Sequence, residues 1–461
     1  MTGVLQSTAS LEVERGLLEE ACVAADGRGA RVLLSYSRAI EPRDTIGLYR
    51  ACRVERRETT YWEQPSRGSA VVTAGALRVH TLRGEGRFGD AARAWRALSG
   101  SAVTNRRSDL VAVAGFAFAA GERARHWASF GDGALVVPEF VYRRSGDQAT
   151  ATFNLMVQPG QSAGALQLRL AHLLSQPAAS DRPGDAAVDG FDETVTADAW
   201  RDAVRALTSS IERGRVEKVV LAREVTVRAR NEIDETTLIA RLREGYGDCT
   251  VFSFRRGGAC FIGATPERLV QVERGSVRAT CLAGSAPRGA TADDDEAAGT
   301  ALLGDAKERR EHRLVVQMIA EALRPLCRRI DVPSEPRLMR MPNVQHLYTP
   351  VEGTLAGDVG ALELVERLHP TPAVGGMPRT EALRLIQEHE PFDRGWYAGP
   401  IGWVDANGDG EFSVAIRSAL IAGLEARLYA GCGIVAGSNP EREYDESTMK
   451  LRPMLWALNQ Q

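Results

Sequence analysis

The sequence predicts an α/β (α+β) fold in which large, mostly antiparallel sheets are flanked by helices. Strand-like and helical patterns do not alternate one for one along the chain, as they would in a doubly wound parallel sheet. Two apolar runs meet at Gly257-Gly258, which is typical of a tight turn between antiparallel strands. The 461 residues, 44% of them hydrophobic and 25% charged, suffice for a large buried core, which excludes disorder as the main state.

The first third of the chain mixes strands with one clear helix. β-Branched residues and apolar alternation predict strands over 31–40, 69–84, 109–119 and 133–144. Residues 88–100 predict a short helix with Ala92, Trp95 and Leu98 along one side. This part contains no group of residues with obvious chemistry.

A stretch without periodicity divides the chain. Residues 176–192 are rich in Pro, Ala, Asp and Gly, which is typical of a linker. We therefore expect the chain to divide near residue 190, into 1–190 and 191–461.

The second part opens with a strongly amphipathic helix. Residues 197–214 place Trp200, Val204, Leu207 and Ile211 on one face. Strands are predicted over the following segments: 217–229, 249–256 and 258–273.

Charge and cysteine content exclude several classes of protein. The net charge of -3 and a pI near 6.2 do not predict a nucleic-acid partner. The seven cysteines are odd in number and contain no CxxC pair, so reduced thiols fit better than disulfides or a zinc site. No signal peptide and no apolar stretch of 18 residues are recognisable. We therefore expect a cytoplasmic protein that does not bind membranes.

One segment imitates a calcium-binding loop. Asp405, Asn407, Asp409 and Gly410 have the right spacing, but Ile416 stands where such a loop needs a bidentate glutamate. We interpret the segment as a polar hairpin turn. A phosphate-binding GxxxxGK[ST] motif and a GxSxG nucleophile motif are both absent from the sequence.

Two pairs of glutamates stand near predicted helix starts. Asp305 and Glu308 fit a capping box at the start of a helix within 304–326, and Asn439 can cap a second helix. The pairs that share a helix face are Glu308 with Glu311, and Glu443 with Glu446. Acidic residues commonly occur here because they interact with the helix dipole. Together, four carboxylates also suit a hard cation such as Mg²⁺.

Three further charged residues have both a structural and a catalytic interpretation. Lys218 begins an apolar strand, where it either reaches water or, if enclosed, serves as a base. Glu267 follows Pro266 at a probable strand end, as a turn residue or as an enclosed acid. Arg417 interrupts an apolar strand, and a buried arginine generally needs a carboxylate partner.

Glycines and histidines supply weaker signals. Gly431 and Gly433 allow the backbone to approach a ligand closely, or simply form a tight strand-to-helix connection. His346 and His369 lie in loop-like segments and are either site residues or satisfied core residues.

Taken together, these segments resemble the chorismate-utilising enzymes, and among them the isochorismate synthases. The matching blocks run in the family's order from about residue 191 to residue 461, which makes the resemblance far more specific than a single motif. They are EKVVLAREV, FIGATPERL, TCLAGSAPRG, GDAKERREHR, NVQHLYTPVEG, LHPTPAVGG, YAGPIGW, EFSVAIRSALI and AGCGIVAGSNPEREYDESTMKL. A weaker match covers TTYWEQPSRGSAVVTAG and VAGFAFAAG in the first part.

The resemblance implies the family fold, in which a variable N-terminal part, 1–190, packs onto the chorismate-binding catalytic domain, 191–461. It also implies Mg²⁺ as the cofactor. It implies that Lys218 is the general base that activates water for attack at C2, and that Glu267 is the general acid for the departing C4 hydroxyl. The implied metal shell is Glu308, Glu311, Glu443 and Glu446, with Glu311 and Glu446 as direct ligands. The implied substrate-binding residues are Gly284, Ser285, His346, Ala373, Tyr397, Arg417, Gly433 and Lys450.

The same resemblance separates subfamilies. Anthranilate synthases typically lack a lysine at the position of Lys218, and lysine-nucleophile aminodeoxychorismate synthases carry one where Ala283 stands. Salicylate synthases tend to have threonine at the position of Ala373. We therefore expect an isochorismate synthase without an obligatory amidotransferase subunit. A salicylate synthase that releases pyruvate, and a non-catalytic chorismate-binding relative, are the alternatives. Menaquinone biosynthesis is the preferred pathway, ahead of siderophore or salicylate synthesis.

Overall fold

The computed structural model describes residues 15–55, 58–175, 188–342 and 344–458. Helices and strands within these ranges are numbered in chain order. The helices are α1 Arg15–Arg28, α2 Thr45–Glu55, α3 Arg87–Gly100, α4 Ala163–Ser175, α5 Ala197–Glu212, α6 Glu235–Gly245, α7 Ala292–Gly304, α8 Ala306–Leu323, α9 Ala361–Leu368, α10 Arg379–His389 and α11 Pro440–Ala457. The strands of the first part are β1 Val32–Ile40, β2 Thr59–Gln64, β3 Ser69–Ala74, β4 Arg78–Leu82, β5 Val103–Thr104, β6 Val111–Phe116, β7 Gly133–Val137, β8 Phe140–Ser145 and β9 Gln148–Val157. The remaining strands are β10 Val188–Glu193, β11 Lys218–Ala229, β12 Thr250–Arg256, β13 Ala259–Thr265, β14 Arg268–Glu273, β15 Ser276–Pro287, β16 Cys327–Asp331, β17 Arg337–Arg340, β18 Val344–Leu355, β19 Gly376–Met377, β20 Pro400–Asp405, β21 Gly410–Val414, β22 Ser418–Ala422 and β23 Glu425–Ile434.

The strands form two large sheets that are almost entirely antiparallel, which confirms the predicted fold class. The larger sheet has 13 strands in the order β10-β11-β23-β22-β13-β12-β2-β3-β8-β9-β1-β5, with β19 paired to β11. The smaller sheet has 10 strands in the order β16-β18-β15-β14-β21-β20-β6-β7-β4, with β17 paired to β18. The short parallel pair of β1 with β5 is an exception to the antiparallel pattern.

Both sheets contain strands from both parts of the chain. In the larger sheet β2 pairs with β12, and in the smaller sheet β6 pairs with β20. The largest buried cluster contains side chains from both sheets, including Phe252 and Phe261 from one and Val270 and Phe412 from the other. The apolar alternation of these strands is therefore satisfied against the opposite sheet. The division at residue 190 stays a prediction.

Three of the strand-like runs divide between the two sheets. Residues 69–84 become β3 and β4, residues 133–144 become β7 and β8, and residues 258–273 become β13 and β14. Pro138 and Pro266 lie at two of the breaks, where a residue without an amide hydrogen cannot continue the ladder. Glu267 therefore sits at a corner where the chain leaves one sheet for the other.

The helix predictions hold in detail. Helix α5 buries Trp200, Val204, Leu207 and Ile211, as its pattern predicts. Helices α8 and α11 begin with side-chain caps from Asp305 and Asn439. The capping box at α8 is only half formed, because the carboxylate of Glu308 accepts a hydrogen bond from the amide of Ser285 instead.

Two other sequence interpretations have clear outcomes. The proposed linker is wrong over 188–192, since these residues belong to β10, which pairs with β11; residues 176–187 lie outside the described ranges. The calcium-like segment is a hairpin between β20 and β21, as predicted. There the Asp405 carboxylate accepts hydrogen bonds from the amides of Asn407 and Asp409. Within the described ranges, no helix has the length and apolar character needed to cross a membrane.

Candidate active site

The predicted site residues converge on one cleft. All of them except Lys218 line it, and Lys218 lies directly behind its wall. The lining residues predicted from the sequence are Glu267, Gly284, Ser285, Glu308, Glu311, His346, Ala373, Tyr397, Arg417, Gly433, Glu443, Glu446 and Lys450. These residues come from both sheets and from helices α8 and α11, so the site depends on the complete assembly of the fold.

Lys218, at the start of β11, is fully buried and bonded to Glu311. Its Nζ lies 2.6 Å from Oε1 of Glu311 on α8. Burial alone would raise the pKa of Glu311, but the Lys218 ammonium lowers it overall. Gly433 leaves the space for this contact, because a Cβ there would lie 2.7 Å from the Glu311 carboxylate and 2.8 Å from Cε of Lys218.

Glu267 has the opposite electrostatic state. Its side chain is buried at the corner between β13 and β14, and its main-chain oxygen accepts a hydrogen bond from Val414. Burial raises the pKa of its carboxyl to about 7, although the positive charges of Lys218 and Arg417 act against this shift. A carboxyl in this state is a proton donor near neutral pH.

Arg417 is a buried cation without a carboxylate partner among the described residues. Its side chain lines the cleft, and only 6% of the residue is exposed. Burial lowers the pKa of its guanidinium. Its φ of 53° is a left-handed conformation that non-glycine residues rarely adopt, and such strain is characteristic of functional sites. Within the described ranges the carboxylate partner expected from the sequence is not found, which leaves the guanidinium available to an anion.

The acidic wall, defined as Glu308, Glu311, Glu443 and Glu446, faces the same cleft. Burial and the neighbouring Glu311 raise the pKa of Glu308 to about 7, and burial and Glu446 raise that of Glu443. Glu446 pairs with Lys450, whose Nζ lies 2.6 Å from its Oε1. Glu311 and Glu446 thus form short bonds to lysines, whereas the pKa values of Glu308 and Glu443 are raised first by burial and then by a neighbouring carboxylate.

The acidic wall fits Mg²⁺ by donor type and charge. Magnesium takes oxygen ligands and retains several waters, and a cation would relieve the carboxylate repulsion that adds to burial in raising the pKa values of Glu308 and Glu443. The side chains do not form a closed shell, since no three His, Cys, Asp or Glu residues in the described ranges are grouped as a metal site. This agrees with an open site that a bound anion would help to complete.

An irregular ladder shapes the floor of the cleft. The register of β15 against β18 shifts between Leu282 and Ser285, and Gly284 has a φ of 82°. Ser285 then faces His346, with Oγ 2.8 Å from Nδ1. Burial lowers the pKa of His346 to about 3, so this imidazole is neutral. The bulge directs the Ser285 amide to Glu308 and so connects β15 with the start of α8.

His312 is a site-supporting residue that the sequence patterns did not single out. Its Nδ1 lies 3.1 Å from the carbonyl oxygen of Ala283, and its Nε2 lies 2.7 Å from the hydroxyl of Thr349. It follows Glu311 on α8, so these bonds fix the helix against β15 and β18. His369 is also buried, but it bonds to the carbonyl of Phe118 and does not line the cleft.

Lys307 is a cleft residue that the sequence analysis missed. Its Nζ lies 3.9 Å from Glu308 and 3.7 Å from Glu443. A signal for it exists in the composition, since the 57 Lys and Arg residues include only three lysines: Lys218, Lys307 and Lys450. All three belong to this site. Because this chain otherwise uses arginine for positive charge, each lysine indicates a position where arginine cannot replace it.

Comparisons with known proteins match nearly the whole chain to one enzyme family. The family model described as "Chorismate binding enzyme" matches residues 18–459. The chain is 38% identical over 454 residues to the salicylate biosynthesis isochorismate synthase of Pseudomonas aeruginosa, covering 97% of this chain and 95% of that protein. It is 36% identical over 440 residues to the isochorismate synthase MenF of Bacillus subtilis, covering 93% of both chains.

Solved structures show the same similarity. MenF, the menaquinone-specific isochorismate synthase of Escherichia coli, matches with a TM-score of 0.79 and 27% identity, over 93% of this chain and 95% of that one. Anthranilate synthase component I of Streptococcus pneumoniae matches with a TM-score of 0.69 and 21% identity, over 85% of this chain and 93% of that one, which supports the fold alone.

Proposed function

The chain belongs to the chorismate-binding enzyme family, and we propose that it is a Mg²⁺-dependent isochorismate synthase. Two relatives that match over nearly the whole chain carry that activity in their names. Chorismate has two carboxylates, a ring hydroxyl at C4 and an enolpyruvyl ether. Its conversion to isochorismate adds water at C2 and removes the C4 hydroxyl. The site must therefore neutralise a dianion and supply a base and an acid.

Charge complementarity supports this substrate. Arg417 offers a buried fork with no carboxylate partner in the described part of the chain, and Lys450 lies in the same cleft. A carboxylate on the substrate would satisfy Arg417 and restore its preferred state. Bound to the acidic wall, Mg²⁺ would supply positive charge for the second carboxylate.

Lys218 and Glu267 are the proposed base and acid. As the neutral amine, Lys218 takes a proton from water while the oxygen bonds to C2. The two ring double bonds shift from C1=C2 and C5=C6 to C1=C6 and C4=C5, and the C4–O bond breaks. Glu267 gives its proton to the departing hydroxyl, which leaves as water, so that the overall reaction is an isomerisation. Lysine suits the first role because arginine does not release its proton near neutral pH. A carboxyl with a pKa of about 7 suits the second role.

One observation carries the proposal more than the others. A buried carboxyl with a pKa of about 7, a buried lysine and a buried arginine without a carboxylate partner among the described residues meet at a single cleft. Burying ionisable groups is energetically unfavourable, and such groups cluster at active sites because the catalysed reaction requires them.

Ala373 bears on the choice between products. The related salicylate synthases tend to have threonine at this position, so alanine favours isochorismate as the final product. Menaquinone biosynthesis remains the preferred pathway and a cytoplasmic location the expected one. The name of the Pseudomonas aeruginosa relative supports salicylate synthesis as the second pathway.

A product assay tests the proposal. Purified protein is incubated with chorismate and Mg²⁺, with and without EDTA, and the products are separated by chromatography. We expect isochorismate to form only with the metal. Salicylate and pyruvate as main products would identify a salicylate synthase instead, and complete absence of turnover would contradict the enzymatic proposal.

A further inference from the structure

A buried ion pair outside the cleft is hydrogen-bonded to three of its walls. Glu390 directly follows α10, Arg394 lies four residues further along the chain, and their side chains are only 2% and 4% exposed. The Arg394 Nε donates to Glu390 Oε2 at 2.7 Å. Neither residue lines the cleft. We call this pair the Glu390–Arg394 clamp.

The clamp binds the backbone of strand β11 at two points. Arg394 donates from Nη2 to the carbonyl oxygen of Val220 at 2.7 Å, and Glu390 accepts from the amide of Ala222 at 2.7 Å. Val220 lines the cleft, and Lys218 is two residues before it on the same face of the strand. The clamp therefore fixes the part of β11 that carries the proposed base.

The clamp also binds the Ala373 loop, defined as residues 371–375. Arg394 donates from Nη1 to the carbonyl oxygen of Val374 at 2.9 Å, and Val220 donates its amide to Gly375 at 2.9 Å. Within the loop, the carbonyl oxygen of Thr371 accepts hydrogen bonds from both Val374 and Gly375. Ala373 and Val374 thus form a wall that the Arg394 guanidinium holds against β11 together with the Val220–Gly375 bond.

The third wall connected to the clamp contains Tyr397. Its amide donates to the carbonyl oxygen of Arg394 at 2.9 Å, and its ring stacks on Tyr429. The guanidinium carbon of Arg394 lies 4.2 Å from the ring centre of Phe118, which holds it from the other side. A planar fork with five donors makes these contacts at once, whereas a lysine cannot.

We propose that the Glu390–Arg394 clamp is a positioning element that holds the Ala373 wall against β11 and thereby confines the reaction to isochorismate. This inference rests on the proposed function. The competing outcome is release of pyruvate, in which the C3–O bond of isochorismate breaks. The hydrogen on C2 then moves to the enolpyruvyl methylene carbon, and the ring becomes salicylate. Because that step needs no further reactant, the site can prevent it only by restricting the position of the bound ring.

The test replaces both members by apolar residues of similar length, Glu390→Met with Arg394→Met. Exchange of a buried ion pair for apolar side chains often preserves stability, whereas loss of one member leaves an unpaired charge. The matched control is Arg384→Met with Glu388→Met, an exposed pair on α10 that has the same spacing of four as the clamp. Each protein is checked by circular dichroism before kinetics.

We expect kcat of the double variant to fall about tenfold or more with little change in KM, because Arg417 and Lys450 still hold the carboxylates of the substrate. We also expect a higher ratio of pyruvate to isochorismate, while the control pair leaves both values unchanged. A folded variant with the wild-type kcat and product ratio would overturn the proposal. Failure of the proposed function itself would appear differently, as absence of isochorismate from the wild-type protein.

A second variant covers the case in which the double variant does not fold. Arg394→Lys keeps the charge beside Glu390 but cannot reach the carbonyl oxygens of both Val220 and Val374. It should raise the pyruvate ratio in the same direction, and amide hydrogen exchange should be faster over 371–376. Wild-type product ratio together with wild-type exchange would overturn the proposal.

Discussion

Two buried glutamates on opposite sides of the cleft have carboxyl pKa values that are shifted in opposite directions. Glu267 lies at the corner between the sheets, and burial raises its pKa to about 7. Glu311 lies on α8, nearly as buried, and its pKa is lowered. The difference is the position of one lysine, since the Nζ of Lys218 is hydrogen-bonded to Glu311 and acts on Glu267 only as a more distant charge.

This contrast shows how one residue type supplies two functions. A carboxyl without a bonded cation keeps its proton and can donate it, while a carboxylate with a lysine partner stays ionised and can bind a cation. The assignment of acid and metal ligand follows from the partners.

The largest effect should come from removing the lysine that creates the contrast. Lys218→Ala deletes the proposed base and leaves Glu311 buried without its partner, so we expect kcat to fall by about 10²–10⁴. Lys218→Arg is the matched variant, because it keeps a cation beside Glu311 but does not provide a base. Both are assayed for isochorismate after their folding is verified. Activity of Lys218→Arg within a few-fold of wild type would contradict the role of the lysine.

Glu267→Gln should remove the acid side of the contrast. A loss of about 10²-fold or more in kcat is expected, since the amide cannot replace the proton donor. In the wild type only the protonated form is active, so the rate should fall as the pH rises above about 7. A pH–rate profile of both proteins checks this, and the residual rate of the variant should lack that decline. The same alkaline decline in the variant would assign it to another group.

The same substitution has a predictable effect on stability. Between its ordinary pKa and a folded-state value of about 7, Glu267 binds its proton more tightly in the folded chain, so its contribution to stability is present at low pH and is lost as the pH rises. At pH 8, Glu267→Gln should therefore be more stable than wild type, by up to about 3 kcal/mol. Urea unfolding at pH 5 and pH 8 measures this difference, and a stability difference that does not grow with pH would argue against the raised pKa.

The acidic wall should bind Mg²⁺ through its ionised carboxylates. We expect Mg²⁺ to raise the unfolding temperature and EDTA to reverse this, because a ligand stabilises the state that binds it. Glu308→Gln and Glu446→Gln should weaken Mg²⁺ binding about tenfold or more in calorimetry. Glu441→Gln is the control on α11, since that exposed side chain pairs with Arg201. Equal loss of binding in the control would contradict the assignment.

The smallest effect should come from crowding the contact between Lys218 and Glu311 with a methyl group. In Gly433→Ala the new methyl group would press on both Glu311 and Lys218, so we expect about 1–3 kcal/mol of destabilisation and a reduced kcat. Gly304→Ala is the control, because nothing lies within 4 Å of a Cβ there. Thermal unfolding and the isochorismate assay compare the two. Wild-type kinetics for Gly433→Ala would show that the Lys218–Glu311 contact tolerates displacement.

Much of the site could be predicted from the sequence because its residues lie in short blocks that occur in the family's order. The blocks containing Glu308 and Glu446, for example, also carry their own helix caps, and the cleft receives both residues. Contacts between distant segments were not accessible. Nothing near Lys218 in the sequence indicates a bond to Glu311, and nothing near Arg394 indicates that it holds Val220 and Val374.

The fold was predictable at the level of class but less so at strand ends. Runs such as 258–273 look continuous because both halves are apolar, yet a proline and the two opposing sheets divide them. Residues 188–192 read as a linker because Asp and Gly are poor strand formers, but pairing with β11 overrides that preference. Lys307 was missed because its significance lies in the scarcity of lysine across the whole chain.

Infrared difference spectroscopy of metal-free protein tests the central contrast most directly. Wild type, Glu267→Gln and Glu311→Gln are compared at pH 6 and pH 8. The wild type minus Glu267→Gln spectrum should contain a protonated carboxyl band at pH 6 that is lost by pH 8. The spectrum for Glu311→Gln should contain only carboxylate bands at both values. An ionised Glu267 at pH 6, or the same titration for both glutamates, would contradict the account.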